Sequence, residues 1–329
     1  MKLASFPRFP LTITPTPLQR ALNLEMALGD RSPRIYLKRD DLNGLAFGGN
    51  KARKLEYLVA AALAEGATML VTEGAAQSNH ARLTAAAAAL AGLKCTLVLD
   101  TRRGADVQGN LLLDKLLAAD VVFASTREER RARMTTIGEE LTAKGERPYI
   151  IPTGGSVPLG ALGYVAAMDE LNNQLVEIGE RPARLYFGTG SQGTQAGIAV
   201  GSIVFDVPFK PLGIAVEDTE RELSEQGLPL AQATADLIEV DHRIGPDDYC
   251  IDDAFVGPGY AFPTTEGIEA IRLVAKTEAV FLEPVYTAKA MAGMIAHIRA
   301  GHFQPNESVV FLHTGGGPSI FANAESLAE

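Results

Sequence analysis

Short apolar runs alternate with longer stretches of helical spacing along almost the whole chain of 329 residues. Ile35-Tyr36-Leu37, Met69-Leu70-Val71, the run over 95–99, Val121-Val122-Phe123, Tyr149-Ile150-Ile151, Leu185-Tyr186-Phe187, 212–216 and 309–312 read as strands. Apolar residues at three- and four-residue intervals predict helices after Gly49 and over 81–90, 111–117, 128–143, 162–171, 266–275 and 287–299, and a small-residue helix reaching residue 200. Strands this short and this apolar, each followed by a helix, predict an α/β fold of parallel sheets covered by helices. Ligands in such folds sit at the C-terminal edges of the strands.

Two breaks interrupt the rhythm: Gly48-Gly49, and Pro152-Thr153-Gly154-Gly155-Ser156-Val157-Pro158. Between them lie four strand-plus-helix units. The expected organisation is therefore a small α/β domain over 51–155 nested in a larger one built from 1–50 and 156–329. The acidic segment 217–248 lacks strand patterns and is expected to cover the surface of the larger domain.

The chemistry concentrates where strands end. In Gly48-Gly49-Asn50-Lys51-Ala52-Arg53-Lys54-Leu55, two glycines and an Asn break the chain and a helix pattern starts at once, with Leu55, Leu58, Val59 and Ala62 on one face. Lys51 thus falls in the first turn, beside unpaired backbone N–H groups and the positive end of the helix dipole. That environment attracts anions and lowers an amine pKa. Three readings fit: a solvated helix start, a phosphate anchor, or an amine that forms a Schiff base.

Gly188-Thr189-Gly190-Ser191-Gln192-Gly193-Thr194 follows a strand and opens a helix. Its glycines allow close backbone approach and its hydroxyls add donors, which suits a phosphate. As a lone GxGxxG it is a weak dinucleotide signal, and Glu217 comes too late to be the usual ribose-binding acid. Gln77-Ser78-Asn79-His80 precedes the Ala-rich helix. Ser78 or Asn79 is expected to cap that helix, and the four polar side chains together could grip a carboxylate. Glu283-Pro284-Val285-Tyr286-Thr287 sets a Tyr just before a helix, with Glu283 readable as a loop acid, and Thr314 ends a strand beside three glycines.

Composition narrows the partners. A net charge of −10 argues against nucleic acid or an anionic membrane, though not against a small anion in a local pocket. Residues 1–18 carry Pro7, Pro10, Pro15 and Pro17 with no apolar run, and no stretch reaches membrane-span length, so a cytoplasmic protein is the expectation. Cys95 and Cys250 are far apart, with Cys95 in a probable buried strand, and the five histidines form no HxxxH or HxH pair; no metal site is expected.

Together the motifs Lys38-Arg39-Asp40-Asp41, Gly48 to Glu56, Gln77-Ser78-Asn79-His80, Gly190-Ser191-Gln192-Gly193-Thr194, Pro284-Val285-Tyr286-Thr287 and His313-Thr314-Gly315-Gly316 resemble a family of pyridoxal-phosphate enzymes. It is the family that includes D-cysteine desulfhydrase, L-cysteate sulfo-lyase and 1-aminocyclopropane-1-carboxylate deaminase. The motifs stand in the family's order and span nearly the whole chain. The resemblance implies the tryptophan-synthase-β fold (fold type II), with the cofactor between a large and a small domain, as a homodimer. It implies that Lys51 holds the cofactor as an internal aldimine, and that Lys54, Asn79 and the loop Gly190, Ser191, Gln192, Gly193 and Thr194 hold its phosphate. Ser78, with Gln77, Asn79 and His80, would bind the substrate carboxylate. Tyr286 would act near the substrate as acid/base or gate, with Tyr260 as a second tyrosine. Gln192, Thr153 and the Pro258 loop would shape the pocket.

The deaminase branch resembles this chain less at two positions. It has Glu where Thr287 stands, facing the pyridine nitrogen, and Leu where Thr314 stands. A hydroxyl from Thr287 or Thr314 does not keep that nitrogen protonated as a carboxylate does, so the ring is a weaker electron sink. This favours β-elimination of a good leaving group, with D-cysteine first and cysteate second, over opening a cyclopropane. A non-catalytic phosphate-binding α/β module is the reading from another class, and a nicotinamide-dependent oxidoreductase is a third, weakened by the missing ribose acid.

Overall fold

A computed structural model describes residues 1–101 and 106–328. Among the described residues ten strands build two sheets: β1 (Leu18–Arg20), β2 (Arg34–Arg39), β3 (Met69–Ala75), β4 (Lys94–Asp100), β5 (Asp120–Ala124), β6 (Pro148–Ile151), β7 (Arg184–Thr189), β8 (Lys210–Ala215), β9 (Ile251–Asp252) and β10 (Ser308–His313). The larger sheet runs β1-β2-β10-β7-β8-β9, and the smaller β5-β4-β3-β6. Every pairing is parallel except β1 with β2, as the βα rhythm requires. The fold class is α/β, as expected.

Among the described residues, the helices longer than the short C-terminal turn Ala324–Ala328 are α1 (Leu22–Leu28), α2 (Asn50–Ala64), α3 (Asn79–Ala91), α4 (Gly109–Leu116), α5 (Arg127–Ala143), α6 (Pro158–Ile178), α7 (Gly193–Val204), α8 (Glu220–Leu237), α9 (Thr265–Glu278) and α10 (Thr287–Arg299). One face of the large sheet packs Ile35, Leu37 and Phe311 against Leu24 of α1, Val274 of α9 and Met291 and Met294 of α10. Its other face packs Leu185, Phe187 and Val310 against Tyr164 and Met168 of α6 and Ile198 of α7. A third cluster joins Leu55 and Leu58 of α2, the alanines of α3, and Leu70, Leu97 and Leu99 of the small sheet. Cys95 is part of it, and burial pushes its thiol up to about 12, so it is a packed thiol. No helix of the described residues is long and apolar enough to cross a membrane.

Four of these elements escaped the pattern: β1, β9, α1 and α8. The segment 217–248, expected only as acidic cover, carries the 18-residue helix α8 with Pro229 inside it. A capping box on Thr219 and Glu222 starts that helix, and Leu223, Ala231 and Ala235 bury its inner face against Ala199 and Val200 of α7. The exposed acids hid that stripe.

The start of α2 is locked from below. Arg53 is 2 % exposed, and its guanidinium donates to Asp40 (2.8 Å from both Nε and Nη2) and to Glu170 of α6 (2.9 Å). Lys38 donates to Thr16 and Gln174 and also pairs with Glu170, while Tyr164 donates to Asp40 at 2.6 Å. From the other side, buried Arg82 of α3 donates to the carbonyls of Ala46 and Gly48, ahead of α2. Gly48 is irreplaceable there: its φ is +66°, and a Cβ would lie 2.0 Å from the Asp41 carbonyl oxygen. Removing one partner of a buried ion cluster strands the others. Arg53→Ala should therefore cost about 3–5 kcal/mol of folding stability, read as a lower urea midpoint.

Candidate active site

The C-terminal ends of β3, β7, β8 and β10 face one cavity of about 430 Å³. That volume is within the range of small-ligand sites. Lys51 lies on its wall, in the first turn of α2, with Nζ donating to Asn50 Oδ1 at 3.1 Å. Burial lowers its pKa to about 8, with Arg82 adding to the effect and Glu283 opposing it. Nζ lies 5.8 Å from the centroid of the Tyr286 ring. The Tyr286 hydroxyl donates to Tyr260 at 3.2 Å, and burial holds both phenols above their ordinary pKa. Lys51, Tyr286 and Tyr260 thus line one cavity together.

The glycine loop lies on a second wall. Gly190, Ser191 and Gln192 line the cavity, and α7 begins at Gly193 with no capping bond from the side chain of Gln192, the residue before it. Ser156 donates to Ser191 (3.0 Å) and accepts from the Gly193 N–H (3.3 Å). Lys54 is fully buried behind this loop with Nζ donating to the Gly154 carbonyl at 3.1 Å, and among the described residues no acid pairs with it. Desolvation first, and Lys51 second, hold its pKa well below the ordinary range. A Cβ at Gly193 would stand 2.8 Å from Lys54 Nζ and from Ser156 Oγ, so only glycine lets the backbone close on them. Ser156 and Gly154 were read as part of a seam. The same glycine-plus-hydroxyl composition after a strand was the signal that could have found them.

Other expected residues take different positions. Ser78 caps α3, accepting from the Ala81 N–H at 3.2 Å, as one of the two candidates was expected to, and lines the cavity. Asn79 also lines it. Its Oδ1 accepts from Asn110 of α4 (2.9 Å), and its Nδ2 lies 3.0 Å from where a Gly316 Cβ would be, on the Glu283 side. Gln77 does not reach the cavity. Its side chain accepts from the Asn110 N–H (2.9 Å) and donates to Gln108 (3.0 Å), so it joins α3 to α4. His80 is buried, with Nε2 2.9 Å from Thr72, whose hydroxyl donates to Ile151. Burial, with Lys51 and Lys54 nearby, keeps the imidazole neutral, so it brings no charge to a carboxylate.

Gln192 turns its amide inward, between the Gly190 carbonyl (2.5 Å) and the Tyr249 hydroxyl (2.9 Å). Thr194 accepts from Asn50 at 2.9 Å, tying the loop to α2. Thr287 is also withdrawn: its hydroxyl accepts from the Glu283 N–H at 2.8 Å and it is fully buried, whereas Thr314 lines the cavity. The rim holds an Arg127–Glu217 pair, and Arg130 bound to Glu73 (2.9 Å) and Asp100 (2.6 Å), with Thr153 donating to Glu73.

A buried amine on a helix N-terminus, a glycine loop that opens a helix and a paired phenol define a site for a phosphate-bearing carbonyl compound. The chain belongs to the pyridoxal-phosphate dependent enzymes, whose family model matches residues 10–315. It is 41% identical over 325 residues to the D-cysteine desulfhydrase of Salmonella choleraesuis (strain SC-B67), covering 97% of both chains. The enzyme of the same name from Salmonella newport (strain SL254) is equally similar, at 41% over 97% of both chains. Among solved structures, an ACC deaminase homologue superposes with a TM-score of 0.91 at 36% identity, over 99% of this chain and 97% of that one. A threonine deaminase isoform from Solanum lycopersicum, at 20% identity and a TM-score of 0.71 over 99% of this chain and 85% of that one, shares the fold.

The residues fit the family's cofactor. Among the described residues, Lys54 is a buried amine that no carboxylate pairs with, and Thr189 Oγ1 at the end of β7 is buried with no hydrogen-bond partner. A phosphate dianion beside the open N-terminus of α7 would answer Lys54 at once. Lys54→Gln should weaken retention of pyridoxal phosphate by about 10- to 100-fold, the worth of a charged hydrogen bond. Equilibrium dialysis measures it, and unchanged retention would place the phosphate elsewhere.

Proposed function

We propose that the chain catalyses pyridoxal-phosphate-dependent β-elimination on a small β-substituted amino acid, with D-cysteine as its substrate. D-cysteine and water would give pyruvate, hydrogen sulfide and ammonia. The observation that carries this reading is Lys51, an amine poised near neutral pH on the cavity wall beside the Tyr286–Tyr260 pair. Full-length likeness to two D-cysteine desulfhydrases supports the choice of substrate.

When bound, the cofactor would supply the electron sink that allows the Cα–H bond to break and the β-sulfur to leave. Lys51 would hold it through Nζ, and once displaced by substrate would stand as the base for the Cα proton. The Cα–H electron pair becomes the Cα=Cβ bond, and the Cβ–S pair departs with the sulfur. Tyr286, kept protonated by burial, would donate to that sulfur with Tyr260 as its relay. The enamine released takes up water to give pyruvate and ammonia. Ser78 and the Asn79 amide would bind the substrate carboxylate. Lys54, Ser156 and the 190–194 loop would hold the phosphate. Thr314 is the hydroxyl on the cavity wall suited to the ring nitrogen, and being neutral it leaves the ring a moderate sink, enough for a good leaving group.

The working organisation proposed is a nested domain over 51–155 against 1–50 and 156–329, in a cytoplasmic homodimer. The span of the smaller sheet, residues 69–151, supports the first part, and sedimentation would read the second. Lys51→Ala should abolish turnover, and full activity in that variant would sink the mechanism. Loaded protein should release pyruvate and sulfide from D-cysteine. Sulfite from cysteate, or 2-oxobutyrate from 1-aminocyclopropane-1-carboxylate, in the absence of D-cysteine turnover would reassign the substrate.

A further inference from the structure

Glu283 precedes Pro284 between α9 and α10 and is 1 % exposed, yet it lies on the cavity wall. Its Oε1 accepts from the Tyr286 and Thr287 N–H groups, both at 2.7 Å, and its Oε2 from the Val285 N–H at 2.9 Å. The three N–H groups belong to the turn that begins the 13-residue helix α10, and they can only donate. Such a set favours an ionised carboxyl, against the burial that pushes its pKa up. Ser319 stands 3.4 Å from Oε2, and Gly316 leaves room for the side chain, since a Cβ there would be 2.4 Å from Glu283 Cγ. The carboxylate is thus fixed in place by backbone, and the turn it fixes carries Tyr286.

We propose that Glu283 is a positioning residue of the active site: it clamps the turn that aims Tyr286 at the cavity and sets a fixed negative charge opposite Lys51. The clamp follows from the two shortest bonds, which bind the backbone of Tyr286 and its neighbour. The charge acts on the groups facing it from each surrounding element. It raises the affinity of Lys51 (α2) for its proton, where Arg82 (α3) and burial lower it. It does the same for Tyr260 and Tyr286, joined there by Glu217 beyond β8. One acid therefore raises the proton affinity of the base and of both phenols that the proposed elimination uses, and this role rests on that reading.

The test uses Glu283→Gln, which keeps the size, removes the charge, and opposes an amide N–H to one of the backbone donors. Two measurements are made. In the first, cofactor-stripped protein takes up pyridoxal phosphate at a series of pH values, followed by visible absorbance; the rate reports the neutral fraction of Lys51. The wild-type midpoint is expected near 8. In Glu283→Gln it should fall by about one pH unit, a tenfold change in proton affinity. The second measurement is steady-state elimination in the reloaded enzyme, where kcat should drop about tenfold or more with KM changing less, because a misaimed Tyr286 harms the chemical step. An unmoved midpoint with an unmoved kcat overturns the proposal. If D-cysteine is not the substrate, the uptake midpoint still decides it. If Glu283→Gln does not fold, Glu283→Asp takes its place: it keeps the charge and slackens the clamp. It should lower kcat while leaving the midpoint near 8, and a wild-type kcat in that variant also overturns the proposal.

Discussion

The ion cluster around Arg53 is the constraint on which the site depends. Asp40 at the end of β2, Glu170 on α6, Lys38 and Tyr164 all converge on a guanidinium that is nearly inaccessible to water. Buried charges of this kind add little net stability, because desolvation offsets most of the attraction. What they impose is geometry: the cluster is satisfied in one arrangement, and any slip leaves a charge unpaired. Arg53 is flanked by the two amines of the site, so a fixed guanidinium fixes the rotation of α2. That rotation sends Lys51 to the cavity and Lys54 behind the glycine loop.

From this anchor the site assembles by strand ends. The large sheet delivers the 188–194 loop and Thr314, the small sheet delivers Ser78 and Asn79, and the turn before α10 delivers Tyr286. Asn50 bridges the halves, its side-chain amide donating to Thr194 and its backbone N–H to the Thr314 carbonyl. Charge is distributed unevenly. Behind the loop lies a buried amine that no acid pairs with among the described residues, and an acid holding three backbone donors faces Lys51. Binding an anionic ligand would answer the first without disturbing the second.

Much of this was legible in the chain. The glycine pair before Lys51 and the strand before Gly188 declared their loops, because backbone breaks and apolar runs are local properties. Which way a polar side chain turns is not local. Gln77 and Asn79 are two residues apart in one motif, but α4 captures the first and orients the second. Thr287 read as a cavity hydroxyl, and its capture by Glu283 depends on a turn closed by three backbone bonds. Glu283 itself looked like any acid before a proline. The helix over 220–237 stayed hidden because its buried face is small, of Leu223, Ala231 and Ala235, among many charges.

The first turn of α2 has a further meaning for how such a chain can change over evolutionary time. Lys51, Arg53 and Lys54 point to three different surroundings within four residues: active-site cavity, ion cluster and loop underside. Each residue of a helix advances about 100° around its axis, so a single insertion between Lys51 and Lys54 would exchange those surroundings wholesale. Substitutions elsewhere on α2 can be absorbed singly. Within 51–54 length itself is frozen, and novelty in this architecture has to come from the walls that face these residues.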